Sequence, residues 1–192
     1  MVSGSQACFV ALVALVGAQR LVELHRSRVH ELAILKAGGR EHAPGQMAVM
    51  RALHAAWLVC MVVEVLALGR PFRPALAFLA LAVFAVGQAL RIVAMRTLGT
   101  RWTVKIMTLP GVASVEHGIF RRLRHPNYVG VALEIFALPL VHGAWLTSLC
   151  FTLANGALLR ARILAEERAL TLDSGYGALL LERPRFVPRL HR

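Results

Sequence analysis

Acidic residues, lysine and cysteine are all scarce in this sequence. Its 192 residues include ten aspartates and glutamates, two lysines and three cysteines. Cys8, Cys60 and Cys150 are odd in number, lie far apart and sit inside apolar runs, so we predict neither a disulfide framework nor a metal site. Charged residues make up 17% of the chain and hydrophobic residues 57%, and the mean hydropathy is +0.61. This composition excludes an ordinary soluble domain of this length.

The shortage of acidic residues leaves a large excess of arginine. Twenty arginines and two lysines give a formal net charge of +12, which by itself would suit a nucleic-acid-binding protein. Long uncharged apolar runs contradict that interpretation, because such runs require a bilayer rather than a polyanion. We therefore expect no nucleic-acid partner, and we expect the arginines to lie at a membrane surface in contact with lipid headgroups.

Four apolar runs, at 1–19, 52–69, 74–90 and 127–159, are long enough to lie in a bilayer. The last has 33 residues with Glu134 as its only charge, and one straight helix of that length would be about 50 Å long, against a hydrocarbon core of ~30 Å. Pro139 and the pair His142-Gly143 predict that this run turns back on itself. The sequence thus predicts an all-α membrane protein, a single domain over residues 1–192, with about five transmembrane helices, of which the last two form a hairpin. They lie near 5–25, 48–69, 74–94, 126–141 and 144–161.

The distribution of basic residues predicts the orientation of the chain. Segments 20–51, 91–124 and 160–192 contain 6, 7 and 7 lysines and arginines, whereas the loop 70–73 contains 2. By the positive-inside rule the N-terminus lies outside and the C-terminus in the cytoplasm of a multi-pass protein, expected in a bacterial plasma membrane. The loop 95–125 and the tail 162–192 would then enclose a cytoplasmic pocket.

These two cytoplasmic segments carry the residues suited to polar chemistry. The loop ends in the string 124–128, Arg-His-Pro-Asn-Tyr. Pro126 suits the first position of a helix and places His125 near the N-cap. Where the last helix leaves the bilayer, Arg162 and Glu166 are four residues apart and share a helix face. A surface ion pair of small energetic value is the alternative interpretation of that spacing.

Together these residues resemble a known signature. The string 124–130, a helical hairpin, and then Arg162 with Glu166-Glu167 are similar to the isoprenylcysteine carboxyl methyltransferase family of integral-membrane, S-adenosylmethionine-dependent methyltransferases. Gly175-Tyr176 and the stretch 183–188 resemble the end of that family's sequences. The resemblance covers residues 97–190, while the first three helices match mainly in being helices.

A closer resemblance is to a bacterial branch encoded beside type III polyketide synthases, which methylates hydroxyls of long-chain alkylpyrones and alkylresorcinols. This resemblance is carried by the stretch 19–24, by His54, Trp57 and Glu64 in the second helix, and by 102–111 and 132–135. It implies functional coupling to a type III polyketide synthase.

The family resemblance also implies S-adenosyl-L-methionine as cofactor and assigns residues to it. The cofactor-binding positions carried over are Lys105, Val112, Ala113, Ser114, Val115, Phe120, His125, Pro126, Asn127, Tyr128 and Glu166. Phe120 and Lys105 depart from the tyrosine and glutamine found in other members. Arg162 matches the position that contacts the methyl acceptor, where a planar guanidinium can orient the attacking oxygen. An acceptor with a weakly acidic hydroxyl would need a general base, for which the matched motifs offer His125 and Glu167.

Carboxylates inside a membrane span are rare and are candidates for function. Glu64 shares one face of its helix with His54 and Trp57, and Glu134 lies in the fourth helix. We consider two roles for these four residues. Either they line a tunnel for the acceptor, or the glutamates are paired internally, with His54 or with an arginine such as Arg91.

The expected activity is methyl transfer from S-adenosylmethionine to an oxygen of a lipophilic small molecule, an alkylpyrone or alkylresorcinol hydroxyl, with Arg162 as the catalytic residue. A prenylcysteine carboxylate or a lipid amine is the rival acceptor. A non-catalytic membrane module that binds anionic lipid through its arginines is the rival of another class.

Overall fold

The computed structural model of the chain describes residues 2–174 and 184–186. Its helices are α1 (Gly4–Lys36), α2 (Gln46–Ala67), α3 (Pro74–Leu98), α4 (Pro126–Leu140) and α5 (Trp145–Ser174), and its strands are β1 (Arg40–His42) and β2 (Ile106–Thr108). Two 3₁₀ turns, Gly99–Arg101 and Gly118–Arg121, lie on either side of β2. The predicted all-α membrane fold with five helices is confirmed, with one small strand pair added to it.

Two helices extend well beyond their predicted ends. Helix α1 was expected to end near residue 25 and continues to Lys36, while α5 was expected to end near 161 and continues to Ser174. The predictions followed the apolar runs, but a helix ends at a breaker rather than at the edge of a bilayer. No glycine or proline interrupts residues 26–37 or 157–174, so both helices continue as polar extensions.

The strand pair joins two connections that are distant in sequence. Strand β1 follows α1, β2 lies in the 95–125 loop, and they pair antiparallel with Glu41 opposite Met107. Each strand has three residues, too few for an alternating pattern to be recognised in the sequence. The pair ties the loop to the end of α1 and so helps to form the floor of the site described below.

The predicted reversal of the last apolar run is confirmed. Helix α4 ends at Leu140 and α5 begins at Trp145, so that the two helices form a hairpin. Gly143, in the turn, has a φ of +71°, a conformation that glycine adopts without strain. The Ala144 N–H donates to the Pro139 carbonyl at 2.9 Å and closes the turn.

Four of the helices, α1, α2, α3 and α5, are long and apolar enough to cross a membrane. Helix α4 is shorter, with 15 residues. Large apolar side chains are exposed along the four long helices, among them Leu15 at 68%, Val59 at 61%, Phe78 at 73% and Leu153 at 67%. Exposure of this extent suits a surface that faces lipid.

The core lies between α1, α2 and α4, where Trp57, Met61 and Ile135 are almost fully buried. Helices α3 and α4 approach each other most closely at two glycines. A methyl group on Gly130 would lie 2.6 Å from the Gly87 carbonyl oxygen, too close for any side chain. Gly130 therefore serves close helix packing.

Candidate functional site

A cavity of about 530 Å³ lies where α1, α2, α4 and α5 meet the 95–125 loop. Twelve of the predicted site residues line it: His54, Lys105, Val112, Ser114, Val115, Phe120, His125, Pro126, Asn127, Tyr128, Arg162 and Glu166. Ala113, Trp57, Glu64 and Glu134 do not line it. The fold therefore gathers residues that lie up to 112 positions apart, from His54 to Glu166, around one cavity.

Tyr128 and Glu166 form a direct contact across the hairpin. The Tyr128 hydroxyl donates to the Glu166 carboxylate at 2.5 Å, and the Tyr128 ring stacks on the His125 ring with centroids 5.5 Å apart. Because α4 starts at Pro126, these three side chains surround its first turn. They place an anionic oxygen, an imidazole and an aromatic face on one wall of the cavity.

The His125 ring is held from behind by Glu167. His125 Nε2 lies 3.1 Å from the Glu167 carboxylate, which also accepts from Arg124 at 2.9 Å and from Arg185 at 2.6 Å. The hydrogen bond from Arg185 to Glu167, with the charge of that carboxylate, raises the pKa of the Arg185 guanidinium. Glu167 is thus saturated by cations and does not line the cavity, while His125 sits at the N-cap without a capping side-chain hydrogen bond.

Arg162 lies one turn before Glu166 on α5 and is buried, with 4% of its surface exposed. Its Nη2 donates to the Val104 carbonyl at 2.7 Å, and the Val104 N–H in turn donates to Ser27 Oγ at 2.8 Å. Among the described residues no ion pair joins Arg162 to Glu166, so the surface-pair alternative for this spacing does not apply. The Arg162 Nε is buried without a partner within the same part of the chain.

Unpaired buried polar atoms are concentrated on this cavity. Of the ten such atoms in the described part of the chain, seven belong to lining residues: Arg20 Nε, Arg91 Nε, Ser114 Oγ, Arg124 Nε, Asn127 Oδ1, Asn155 Oδ1 and Arg162 Nε. A buried polar atom without a partner costs about 1–3 kcal/mol, so this concentration fits a polar ligand that supplies the partners. Hydroxyl, amide and guanidinium groups match the carboxylate, ammonium and ribose hydroxyls of S-adenosylmethionine.

The loop residues that the family resemblance assigns to the cofactor differ in their surroundings. Lys105 Nζ lies 2.7 Å from Glu41 and 3.8 Å from Glu31, so its charge is already shared with two carboxylates. The Ala113 carbonyl accepts from Arg101 at 2.8 Å, and Ala113 itself does not line the cavity. A phenylalanine at position 120 supplies an apolar surface where a tyrosine would have added a hydroxyl.

A buried charge cluster of α1, α3 and α4 borders the cavity and was missed by the sequence analysis as a unit. Arg20 and Arg91 each contact both Glu23 and Glu134, at distances from 2.5 to 3.2 Å. The alternative prediction, that a membrane glutamate pairs with Arg91, is confirmed for Glu134. The sequence signal was the presence of Arg20 and Glu23 three positions apart in an otherwise apolar helix. Asn155 of α5, another residue that lines the cavity, was missed as well.

Glu64 and Trp57 serve the packing of the bundle. Glu64 accepts from the Thr147 N–H and hydroxyl, each at 2.7 Å, and pairs with Arg70 at 2.9 Å. The Trp57 Nε1–H donates to the Ile135 carbonyl at 3.2 Å. Both residues lie away from the cavity, in agreement with the internal-pairing alternative. The predicted tail residues Gly175, Tyr176, Arg183, Val187 and Pro188 lie outside the described residues.

With this geometry in place, comparison with known proteins is informative. The model of the isoprenylcysteine carboxyl methyltransferase (ICMT) family matches residues 78–172, the part that holds α3, the loop, α4 and most of α5. Uncharacterized protein YpbQ of Bacillus subtilis is 32% identical over 163 residues, which is 84% of this chain and 96% of that protein. An uncharacterized protein of Haemophilus influenzae is 28% identical over 167 residues, 86% of this chain and 92% of that one.

A solved structure shares the fold. The eukaryotic intramembrane Ras methyltransferase ICMT superposes with a TM-score of 0.56 at 24% sequence identity, covering 79% of this chain. The chain spans about 55% of the length of that enzyme. The likeness extends to the helical membrane architecture around the hairpin.

Proposed function

Because this chain belongs to the isoprenylcysteine carboxyl methyltransferase family, whose members are membrane methyltransferases that use S-adenosyl-L-methionine, we propose that it methylates an oxygen of a lipophilic acceptor. The acceptor we propose is the hydroxyl of a long-chain alkylpyrone or alkylresorcinol. The observation that carries the proposal is one cavity, lined by polar side chains near the start of α4 and in the second half of α5 and by apolar side chains of α1 and α2. A polar cofactor and a lipid-like acceptor both find suitable walls there.

The polar wall contains the residues that would hold S-adenosylmethionine. Glu166 offers a carboxylate to an ammonium or to ribose hydroxyls, and the buried Ser114 Oγ and Asn127 Oδ1 offer unsatisfied hydrogen-bonding capacity. The cofactor supplies an electrophilic methyl group on a sulfonium sulfur. The chain's task is then to exclude water and to align the acceptor oxygen with that methyl group.

Arg162 is the residue we assign to the acceptor. Its guanidinium is held by the Val104 carbonyl at 2.7 Å, and its Nε is buried without a partner among the described residues. A planar guanidinium fixed in this way presents its remaining N–H groups in a defined direction, as alignment of an oxygen requires.

The apolar wall supports entry from the bilayer. Gly17, Leu21 and Leu24 of α1 and Leu58 of α2 line the cavity, and Leu21 is also 69% exposed. A side chain that is both lining and exposed marks an opening on the lipid-facing surface. An alkyl chain can pass there while its headgroup reaches Arg162.

The orientation that we propose places this cavity at the cytoplasmic face, with the N-terminus outside and the C-terminus inside. The support is the 6, 7 and 7 basic residues in the segments 20–51, 91–124 and 160–192. Single cysteines at Arg122 and Arg168, in a chain lacking its three native cysteines, should react from the same side, and one at Phe72 from the other. Reaction of Arg122 and Phe72 positions from one side would overturn this topology.

Coupling to a type III polyketide synthase is part of the proposal, since such an enzyme makes alkylpyrones and alkylresorcinols. The support is the resemblance of His54, of 19–24 and of 102–111 to the branch encoded beside those synthases. The names of the two bacterial relatives do not state a substrate. The acceptor must therefore be identified by experiment.

The decisive experiment measures cofactor binding and methyl transfer separately. Calorimetry of the purified protein should detect S-adenosylmethionine binding that His125→Ala and Glu166→Ala weaken and the surface variant Arg168→Ala leaves unchanged. Methyl-labelled cofactor is then offered with alkylpyrone, alkylresorcinol, prenylcysteine and amine acceptors. Label on the first two supports the proposal, and label confined to prenylcysteine or amine replaces the acceptor. Absence of cofactor binding would favour a lipid-binding module.

A further inference from the structure

His54 is a cavity-lining residue to which the proposed chemistry has so far given no task. It lies on α2, is half-buried, and lines the cavity together with Arg162. Its Nδ1 lies 2.9 Å from the Met50 carbonyl oxygen. A carbonyl oxygen has no proton to donate, so Nδ1 must carry the proton of this hydrogen bond. In the neutral ring, Nε2 is then a bare lone pair, and no described residue donates to it.

The orientation of the His54 ring is held from two directions. The Met50 carbonyl fixes one nitrogen, and the Trp57 ring contacts the imidazole edge-on, with centroids 6.4 Å apart. Trp57 is itself fixed by its hydrogen bond to the Ile135 carbonyl and is 1% exposed. A ring constrained in this way keeps one tautomer and directs the other nitrogen consistently.

The carboxylates of the cavity wall are already engaged. Glu23 accepts from Arg20 and Arg91 at 2.6 Å each, and Glu166 accepts from Tyr128 at 2.5 Å. Each of these carboxylates therefore already accepts hydrogen bonds from described residues. The imidazole of His54 has no such donor within the described part of the chain.

We propose that His54 is the general base that removes the proton from an un-ionised acceptor hydroxyl during methyl transfer. This inference rests on the proposed function. The hydroxyl oxygen forms the new O–C bond, the C–S bond breaks with its electron pair staying on sulfur, and the hydroxyl proton moves to His54 Nε2. The resulting imidazolium returns that proton to water, so ether, S-adenosylhomocysteine and one proton are the products.

A general base at position 54 indicates which class of acceptor the site can methylate. Alkylpyrone enols are acidic enough to reach the enzyme as anions, whereas a resorcinol hydroxyl, like the tyrosine phenol with its pKa of about 10, is protonated at neutral pH. Only the second class requires a base. The site therefore suits long-chain phenols, with Arg162 stabilising the developing phenolate.

The test compares two acceptors with the same alkyl chain, a pyrone and a resorcinol, in His54→Gln. The glutamine amide can still donate to the Met50 carbonyl but cannot accept a proton. We expect kcat/KM to fall about 10²- to 10⁴-fold for the resorcinol and to change by less than about threefold for the pyrone, with kcat rather than KM carrying the loss. His30→Gln is the matched control, because His30 also hydrogen-bonds a backbone carbonyl, Trp102 at 2.7 Å, but does not line the cavity.

Two further readouts do not depend on turnover. ¹⁵N spectra of histidine-labelled protein without cofactor should show a ring signal, protonated at Nδ1 and bare at Nε2, that is lost in His54→Gln and retained in His30→Gln. Calorimetry should show unchanged cofactor affinity in His54→Gln. Equal losses for both acceptors would make His54 a structural residue and overturn the inference. A selective resorcinol loss in His125→Gln instead would move the base to His125. If wild-type protein methylates no oxygen acceptor at all, it is the proposed function that fails.

Discussion

Two polar clusters at opposite ends of the helical bundle, one around Glu64 and one around Arg162, differ in how completely their hydrogen bonds are satisfied. At the end near the α4–α5 turn, Glu64 is saturated by Arg70 at 2.9 Å, by both donors of Thr147 at 2.7 Å and by the Leu146 N–H at 3.2 Å. At the other end, Arg162, Asn127 and other lining residues retain buried atoms that no described residue satisfies.

This difference separates a structural polar cluster from a binding site. Both clusters consist of polar residues in apolar helices. Because such residues are rare in a membrane, the sequence alone would suggest a function for both clusters. Within the apolar interior an unsatisfied group is costly, so a closed cluster stabilises the fold and an open one awaits a ligand. Substitutions at the two ends should therefore change different observables.

Among the substitutions that compare the two clusters, the largest effect is expected at Arg162, on catalysis. Arg162→Lys should lower kcat/KM about tenfold to a thousandfold, or about 1.4 to 4 kcal/mol of transition-state stabilisation, because a flexible ammonium cannot reproduce the guanidinium geometry. S-adenosylmethionine affinity, measured by calorimetry, should be nearly unchanged. Glu166→Gln should do the reverse and weaken cofactor binding first. Equal loss of cofactor binding in both variants would contradict the division of roles.

The closed end should respond in stability instead. Glu64→Leu removes the acceptor of two backbone N–H groups and the partner of Arg70, so we expect the free energy of unfolding to fall by about 2–4 kcal/mol. Thermal unfolding in detergent measures the loss, and Glu64→Gln, which keeps one acceptor oxygen, should lose less. Cofactor affinity of the folded variant should match wild type. Lost methyl transfer at full stability would instead return Glu64 to the acceptor tunnel.

Packing between α3 and α4 provides a third comparison. Gly130→Ala puts a methyl group 2.6 Å from the Gly87 carbonyl oxygen and 2.5 Å from Arg91 Cγ, so the helices must separate, at a cost of about 1–3 kcal/mol. Gly156→Ala on α5 is the matched control, since no atom lies within 4 Å of its added methyl group. It should be neutral, or stabilising by up to about 1 kcal/mol. Equal melting temperatures for the two variants would refute the close contact.

The smallest effect is expected at Arg185. Its side chain is 43% exposed, and Arg124 and His125 still hold Glu167 without it, so Arg185→Ala should cost less than about 1 kcal/mol. The raised pKa of Arg185 means that its contribution is complete below the ordinary arginine pKa and is lost only above the raised value. The difference in melting temperature from wild type should thus be the same at about pH 5 and pH 9. A strong pH dependence in that range would assign the contact to another group.

The sequence predicted the turn between α4 and α5 but not the ends of the long helices. The turn of the last apolar run was predictable because 33 residues exceed the bilayer and Pro139 and Gly143 mark a break. Helix α1 also has 33 residues and continues unbroken, because its second part is polar and contains no breaker. Hydropathy locates the membrane span, and the helix end depends on local backbone preferences that charged residues satisfy equally well.

The residues of the site likewise include some that the sequence predicted and some that it did not. The resemblance in residues 124–130 and 162–167 brought Tyr128, His125, Arg162 and Glu166 to one cavity, as expected, and assigned their chemistry. The rarity of carboxylates in a membrane span left two roles open for Glu64 and Glu134, because rarity does not reveal whether a carboxylate has found partners. The sequence analysis did not identify Glu23 and Asn155 as lining residues, since the spacing of Arg20 and Glu23 indicates a pair but not the cavity that the pair borders.

The sequence by itself determined that this protein lies in a membrane, how many helices it has, where its hairpin turns and which family chemistry it carries. These properties depend on run length, on glycine and proline, and on residue types at short spacing. Only the tertiary structure decided which polar groups were satisfied. Partners such as Arg20 and Glu134, 114 positions apart, meet through helix packing. That same packing leaves Arg162 Nε and His54 Nε2 without a hydrogen-bond partner among the described residues.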